Sequence, residues 1–220
     1  MRIPKKCIVV SGRVHPGESN GSYMMEGFLD FICGDTREAR KLRADFIFKI
    51  APMLNPDGVC MGNYRTGVSG KDFNREYHNP DKSIFPEVHA FKNLVIENKT
   101  QFRENLLMFL DFHGHSTKKN VFMYGPEFPI IQKHYYECRV YPKLLANHTS
   151  MFRYYSCSFR ISECKVTTAR AVFLKKLMIP FSYTIEASNG FYYDVDSLKD
   201  IPFTDEAWKT MGYKIGTSLA

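Results

Sequence analysis

Four side chains in this 220-residue sequence could do metal-assisted chemistry together: His15, Glu18, His113 and Glu186. The turn His15-Pro16-Gly17-Glu18 carries an imidazole and a carboxylate, both zinc ligands when deprotonated, and it follows the apolar run Cys7-Ile8-Val9-Val10-Ser11-Gly12. Pro16 and Gly17 forbid a regular helix there, so the pair sits on a loop at a strand end, unlike a helical His-Glu-x-x-His. Alone, such a turn is more readily a surface turn with a polar pair. A catalytic zinc takes three protein ligands and keeps a fourth position open, and His113, which ends a second apolar run, completes a His₂Glu set. His115, two residues on, is expected to face away from His113. His78, His89, His134 and His148 lie in polar surroundings and read as surface residues.

Hydrolysis at a metal also needs a base for the water and a cation for the developing oxyanion. Glu186 follows an aromatic and β-branched strand and has small neighbours, so it is expected to be partly buried with a raised pKa. Two stretches pair asparagine with arginine, Asn63-Tyr64-Arg65 and Asn74-Arg75. A guanidinium fork with an amide beside it suits a carboxylate.

The elements that must hold these groups follow from periodicity and turn chemistry. Strands are expected over 6–13, 44–54, 106–110, 120–125 and 180–186. Helices are expected over 22–33 (capped by Asn20 or Ser22 and stopped at Gly34), 87–102, 130–147 despite Pro142, 168–178, and at the end of the chain with Thr204 as cap. Asn55-Pro56-Asp57-Gly58 reads as a turn, residues 59–83 as a long loop and 154–168 as a polar irregular stretch. Alternating strands and helices give an α/β sandwich around a central sheet, in which ligands gather at strand ends. His15, the 55–83 loop, His113 and Glu186 all fall there.

Composition narrows the class. Hydrophobic residues make up 44% and charged residues 24%, which is globular rather than disordered. Thirty Lys and Arg against 23 Asp and Glu give +7, which suits an acidic partner. No long basic block or repeated aromatic–basic motif points to nucleic acid, and no apolar run approaches a membrane span, so neither partner is expected. Six cysteines without a Cys-x-x-Cys fit a reducing cytosol, with Cys7, Cys33 and Cys60 expected as buried free thiols.

Taken in order, the motifs resemble the zinc metallocarboxypeptidases, and within them the cytosolic branch that includes tubulin deglutamylases. The resemblance rests on Val14-His15-Pro16-Gly17-Glu18, Asn55-Pro56-Asp57-Gly58-Val59, Gly62-Asn63-Tyr64-Arg65 and Asp72-Phe73-Asn74-Arg75. It continues through Asp111-Phe112-His113-Gly114-His115-Ser116, Thr168-Ala169-Arg170-Ala171-Val172 and Ser182-Tyr183-Thr184-Ile185-Glu186. It implies one catalytic domain over 1–220, a three-layer sandwich whose central mixed sheet is flanked by helices. It also implies that the family's N-terminal β-sandwich domain and first catalytic strands lie outside this sequence, which would leave a sheet edge uncovered.

The resemblance further implies one Zn²⁺ per chain on His15, Glu18 and His113, with Glu186 as general base and acid and Asp72 orienting a zinc histidine. Arg65 would hold the oxyanion, Asn74 and Arg75 the substrate's C-terminal carboxylate, and Arg170 the side chain of the departing residue. A cation there favours removal of acidic C-terminal residues, glutamates of tubulin-like tails above all, in the cytoplasm and near microtubules or cilia. Two alternatives stay open: a zinc amidohydrolase acting on small N-acyl amino acids, and an inactive module that binds acidic tails. No position follows for the tyrosine that digestive relatives close over substrate; Tyr154 and Tyr155 are candidates without support.

Overall fold

The apolar run near the start of the chain forms strand β1 (Lys6–Gly12). In the computed structural model, which describes residues 4–220, it is joined by β2 (Phe46–Ala51), β3 (Leu106–His115), β4 (Val121–Tyr124) and β5 (Phe181–Ser188). The sheet order is β2-β1-β3-β5-β4, with β4 antiparallel to β5 and the other pairs parallel. The expected mixed sheet is therefore present. The helices are α1 (Ser19–Cys33), α2 (Arg37–Asp45), α3 (Pro56–Cys60), α4 (Pro86–Phe102), α5 (Lys133–His148), α6 (Ala169–Leu177) and α7 (Asp205–Thr217).

Alternation along the strands gives the sheet two different faces. Ile8, Val10, Leu110, Phe112, Tyr183 and Ile185 point to a core shared with α1, α2, α5 and α7. Cys7, Val9 and Phe109 point to a second core under α4 and α6. Toward the C-terminal ends of the strands this second face turns polar, through Ser11 on β1, Asp111 and His113 on β3, and Thr184 and Glu186 on β5. Apolar residues below anchor the strands while polar ones above meet a cavity.

Several local expectations are corrected. Helix α1 starts at Ser19, ahead of residue 22, and neither Asn20 nor Ser22 caps it; Asn20 is buried and bonds across to β5. The second strand loses its expected first residues to α2, a polar helix that buries only Ala39 and Leu42 and is capped by Thr36. The Asn55-Pro56-Asp57-Gly58 turn opens the short α3, where the Asn55 carbonyl oxygen of the side chain accepts from Gly58 N at 3.1 Å. Strand β3 runs on to His115 rather than ending at Leu110. A hairpin of β6 (Phe191–Asp194) and β7 (Lys199–Pro202) was not foreseen. The closing helix does start on Thr204, whose hydroxyl accepts from Ala207 N.

Pro142 sits inside α5, where it cannot donate to the carbonyl of Cys138. That carbonyl instead accepts the Tyr183 hydroxyl at 2.8 Å, so the helix continues without a buried orphan. All six cysteines are free; Cys7 is buried as expected, but Cys33 and Cys60 are exposed. No helix among the described residues is long and apolar enough to cross a membrane.

Candidate metal centre and cleft

After β1 the chain turns through Arg13, whose φ is 56°, and the Arg13 Nε donates back to Pro16 O at 2.6 Å. This closes a tight loop that delivers His15 and Glu18 to the start of α1. His113 comes in from β3. His15 Nδ1 lies 2.7 Å from Glu18 Oε1, and His113 Nδ1 lies 3.2 Å from His15 Nδ1 and 3.1 Å from Glu18 Oε2. All three residues are buried, and their ligand atoms fall within 4.8 Å of one another.

The outer nitrogens of both imidazoles are spoken for. His15 Nε2 is 3.0 Å from Asp72 Oδ1, and His113 Nε2 is 2.7 Å from Asp111 Oδ2. A carboxylate fixes the proton on the nitrogen it faces, so each neutral ring turns its Nδ1 lone pair inward. Two lone pairs and a carboxylate then converge with no donor among them, an arrangement that only a cation or a captured proton relieves. A divalent metal preferring nitrogen and oxygen ligands in a His₂Glu set fits it, with the two aspartates holding the rings in register. The Gly114 amide fixes the third ligand by donating to Glu18 Oε2 at 2.8 Å.

The electrostatics agree. Burial opposes ionisation of Glu18, yet His113 and His15 hold its carboxyl well below the usual range. Burial likewise works against a charged His113, but Asp111 and Glu18 hold it well above the ordinary imidazole value. Asp72, also penalised by burial, is kept low by His15, Arg65 and Arg75. This negative surround favours a cation.

Glu186 is the register partner of His113 across the β3–β5 pair. Burial pushes its carboxyl up to about 7, with His113 opposing and Glu18 adding to the rise. The sequence reading of a partly buried acid is borne out. Glu186 and the three candidate ligands open onto one cavity of about 470 Å³, whose wall also includes Arg65, Asn74, Arg75 and Arg170.

Each cation is aimed by its neighbours. Arg65 donates from Nε and Nη2 to Asp72 Oδ2 at 3.0 and 2.8 Å, which leaves Nη1 at 3.8 Å from Glu18 Oε1. Asp72 also accepts from Asn74 N and lies 3.6 Å from Arg75 Nη1, so one carboxylate organises both loop arginines and His15. The Asn74 side-chain oxygen accepts from Ala169 N at the start of α6, and its amide nitrogen has no protein partner among the described residues. Arg170 is buried, donates to Gly125 O and lies 5.9 Å from the Tyr124 ring centre. Burial lowers its pKa to about 10, so it stays charged near neutrality.

All nine residues singled out from sequence therefore converge on one region. Asp111 was missed as an orienting acid. His115 was misjudged, because residues two apart on a strand share a face, and it lines the same cavity as His113. It stays out of the ligand cluster by its distance along β3, and its Nδ1 accepts from Lys118 N at 3.1 Å. Tyr64 and Tyr124 line the cavity, whereas Tyr154 and Tyr155 do not.

Fold and site together define a metallohydrolase-type centre at the C-terminal ends of a mixed sheet. The chain belongs to the zinc carboxypeptidase family, whose profile matches residues 3–205. It is 44% identical over 216 residues to mouse cytosolic carboxypeptidase 2, covering 98% of this chain and 24% of that protein. It is 38% identical to mouse cytosolic carboxypeptidase 6, covering 98% of this chain and 40% of the relative. The chain thus spans less than half the length of these relatives. Among solved structures, a metallo-carboxypeptidase from Burkholderia cenocepacia superimposes with a TM-score of 0.81 at 25% identity, over 98% of this chain and 56% of the other. Carboxypeptidase A from Helicoverpa armigera shares the fold at a TM-score of 0.65 and 14% identity.

Proposed function

We propose that residues 1–220 act as the catalytic domain of a zinc carboxypeptidase that removes acidic residues, chiefly glutamate, from protein C-termini. The observation that carries this reading is the joining of four cationic or amide groups, Arg65, Asn74, Arg75 and Arg170, to the His₂Glu cluster and Glu186 around one cavity. An exopeptidase must grip a free carboxylate beside its reacting centre. An acid-selective one needs a further cation beyond that grip.

His15, Glu18 and His113 hold the zinc, which when bound supplies Lewis acidity toward water and the scissile carbonyl. Asn74 and Arg75 bind the terminal carboxylate of the substrate through charge-assisted hydrogen bonds. Glu186 takes a proton from the attacking water and passes it to the leaving amine, a task suited to a carboxyl near 7. Arg65 faces the oxygen on which charge develops. Arg170 pairs with the acidic side chain of the departing residue. The relatives' names, cytosolic carboxypeptidases, support action in the cytosol, and the +7 charge suits steering of glutamate-rich tails such as those of tubulin, on microtubules or in cilia.

The test is mass spectrometry of a peptide ending in several glutamates, incubated with zinc-loaded protein. Stepwise loss of glutamate is expected, and Arg170→Ala should lose the preference for glutamate over leucine at the C-terminus. Hydrolysis of N-acetyl-aspartate without peptide trimming would overturn the reading in favour of a small-molecule amidohydrolase. Peptide binding with no amino acid released would favour a tail-binding module.

A further inference from the structure

Asn20 stands in the first turn of α1 but uses its side chain to reach another layer of the fold. Its Nδ2 donates to Ala187 O and to Asn189 Oδ1, each at 2.8 Å, while its Oδ1 accepts from Gly21 N at 2.9 Å. Both amide protons and one lone pair are thereby committed, in a residue only 1% exposed. Asn20 does not line the cavity, so it has no substrate to touch.

The path from α1 to β5 crosses the end of β3 at Gly114. A Cβ there would lie 2.4 Å from Asn20 Oδ1 and 3.0 Å from Asn189 Oδ1, so the crossing exists only because residue 114 has no side chain. The amide of the same glycine donates to Glu18 Oε2. Glu18 lies two residues before Asn20, Glu186 lies one residue before Ala187, and Gly114 follows His113 directly.

We propose that Asn20 is a positioning residue that fixes the Glu186 carboxyl relative to the His15–Glu18 turn and thereby sets the rate of the chemical step. The proposal rests on the functional reading above. Its physical basis is that a base displaced by about 1 Å can cost on the order of 100-fold in rate while binding is little changed. The amide spans from the first turn of α1, two residues after Glu18, to the carbonyl of Ala187, one residue after the base, and no other side-chain hydrogen bond among the described residues joins α1 to β5.

The experiment uses the zinc-saturated chain with Asn20→Ala, Gly114→Ala, which evicts the Asn20 side chain without removing it, and Asn189→Ala, which spares the bond to Ala187 O. For Asn20→Ala and Gly114→Ala, kcat on a glutamate-ended peptide should fall about 10- to 100-fold with KM within about twofold and zinc stoichiometry kept. Asn189→Ala should show a smaller loss. Hydrogen exchange of zinc-loaded Asn20→Ala should accelerate in residues 186–190 and stay unchanged in the rest of α1. Asn20→Ser, which keeps a local acceptor for Gly21 N but cannot reach Ala187, replaces Asn20→Ala should the latter fail to fold. A kcat within twofold of wild type, or faster exchange spread over all of α1, would overturn the proposal and make Asn20 a packing residue. If the wild-type chain releases no amino acid, the functional reading fails, and the exchange measurement still decides the clamp.

Discussion

Asp111 Oδ2 lies 2.7 Å from His113 Nε2, and the other oxygen of the same carboxylate accepts the Ser11 hydroxyl at 2.7 Å. Both acid and imidazole are at most 2% exposed, so the pair is held by β1 and β3 with no loop involved. Removing the charge from Asp111 while keeping its shape should loosen the histidine and lower its basicity. Asp111→Asn is expected to weaken zinc binding about 10- to 100-fold, read by competition with a chromogenic chelator. An unchanged affinity would show that Asp111 serves only the core.

Zinc affinity should fall as the pH is lowered, beginning above the ordinary imidazole range. The metal needs His113 without its Nδ1 proton, and Asp111 and Glu18 hold that imidazole's pKa above its ordinary value. Below the raised pKa a proton therefore competes with zinc, and affinity climbs as the pH rises through it. Titration of zinc into chelator-stripped protein at several pH values, with proton release followed by calorimetry in two buffers, checks the sign. A pH-independent affinity would contradict it.

As the proposed base, Glu186 must be ionised to accept a proton, and burial pushes its carboxyl up to about 7. A nearby divalent cation favours the carboxylate, so kcat/KM should rise with pH through an ionisation at or below about 7. Glu186→Gln should abolish amino-acid release with zinc still bound. Full activity in that variant would remove Glu186 from its role.

The two loop arginines should separate kinetically. Arg75→Ala is expected to raise KM about 10- to 100-fold, the loss of a charge-assisted bond of roughly 1.5–3 kcal/mol, with kcat less affected. Arg65→Ala, at saturating zinc, should lower kcat about 100-fold or more. A C-terminally amidated peptide should resist the wild-type enzyme. Equal effects of both variants on KM alone would argue that Arg65 binds ground-state substrate.

Much of the site was legible because its residues stand where apolar runs end, and a strand end is where a sheet can turn polar groups toward a ligand cavity. His15, His113 and Glu186 each follow such a run. Asp111 was hidden by the same logic, since an acid just after five apolar residues reads as lying past the strand's end. In fact β3 continues past it, because Ser11 and His113 satisfy its oxygens. Asn20 looked like a cap from its residue type, but its neighbours across the sheet outbid the local backbone. Helix α2 escaped notice because only Ala39 and Leu42 are buried, too few to set a helical period. The β6–β7 hairpin, with mixed exposure, carries equally little alternation.

His113 and Glu186 face each other across adjacent parallel strands, so their separation is a property of the hydrogen-bond ladder, roughly 4.8 Å between strands. Arg65, Asn74 and Arg75, by contrast, ride on the connection between β2 and α4. On the proposed function, chemistry and substrate choice are thus carried by parts with different tolerance to change. The connection can be exchanged or lengthened to accept another chain end while proton transfer at the sheet stays intact, whereas a one-residue slip between β3 and β5 would turn Glu186 to the opposite face and end the reaction whatever the substrate.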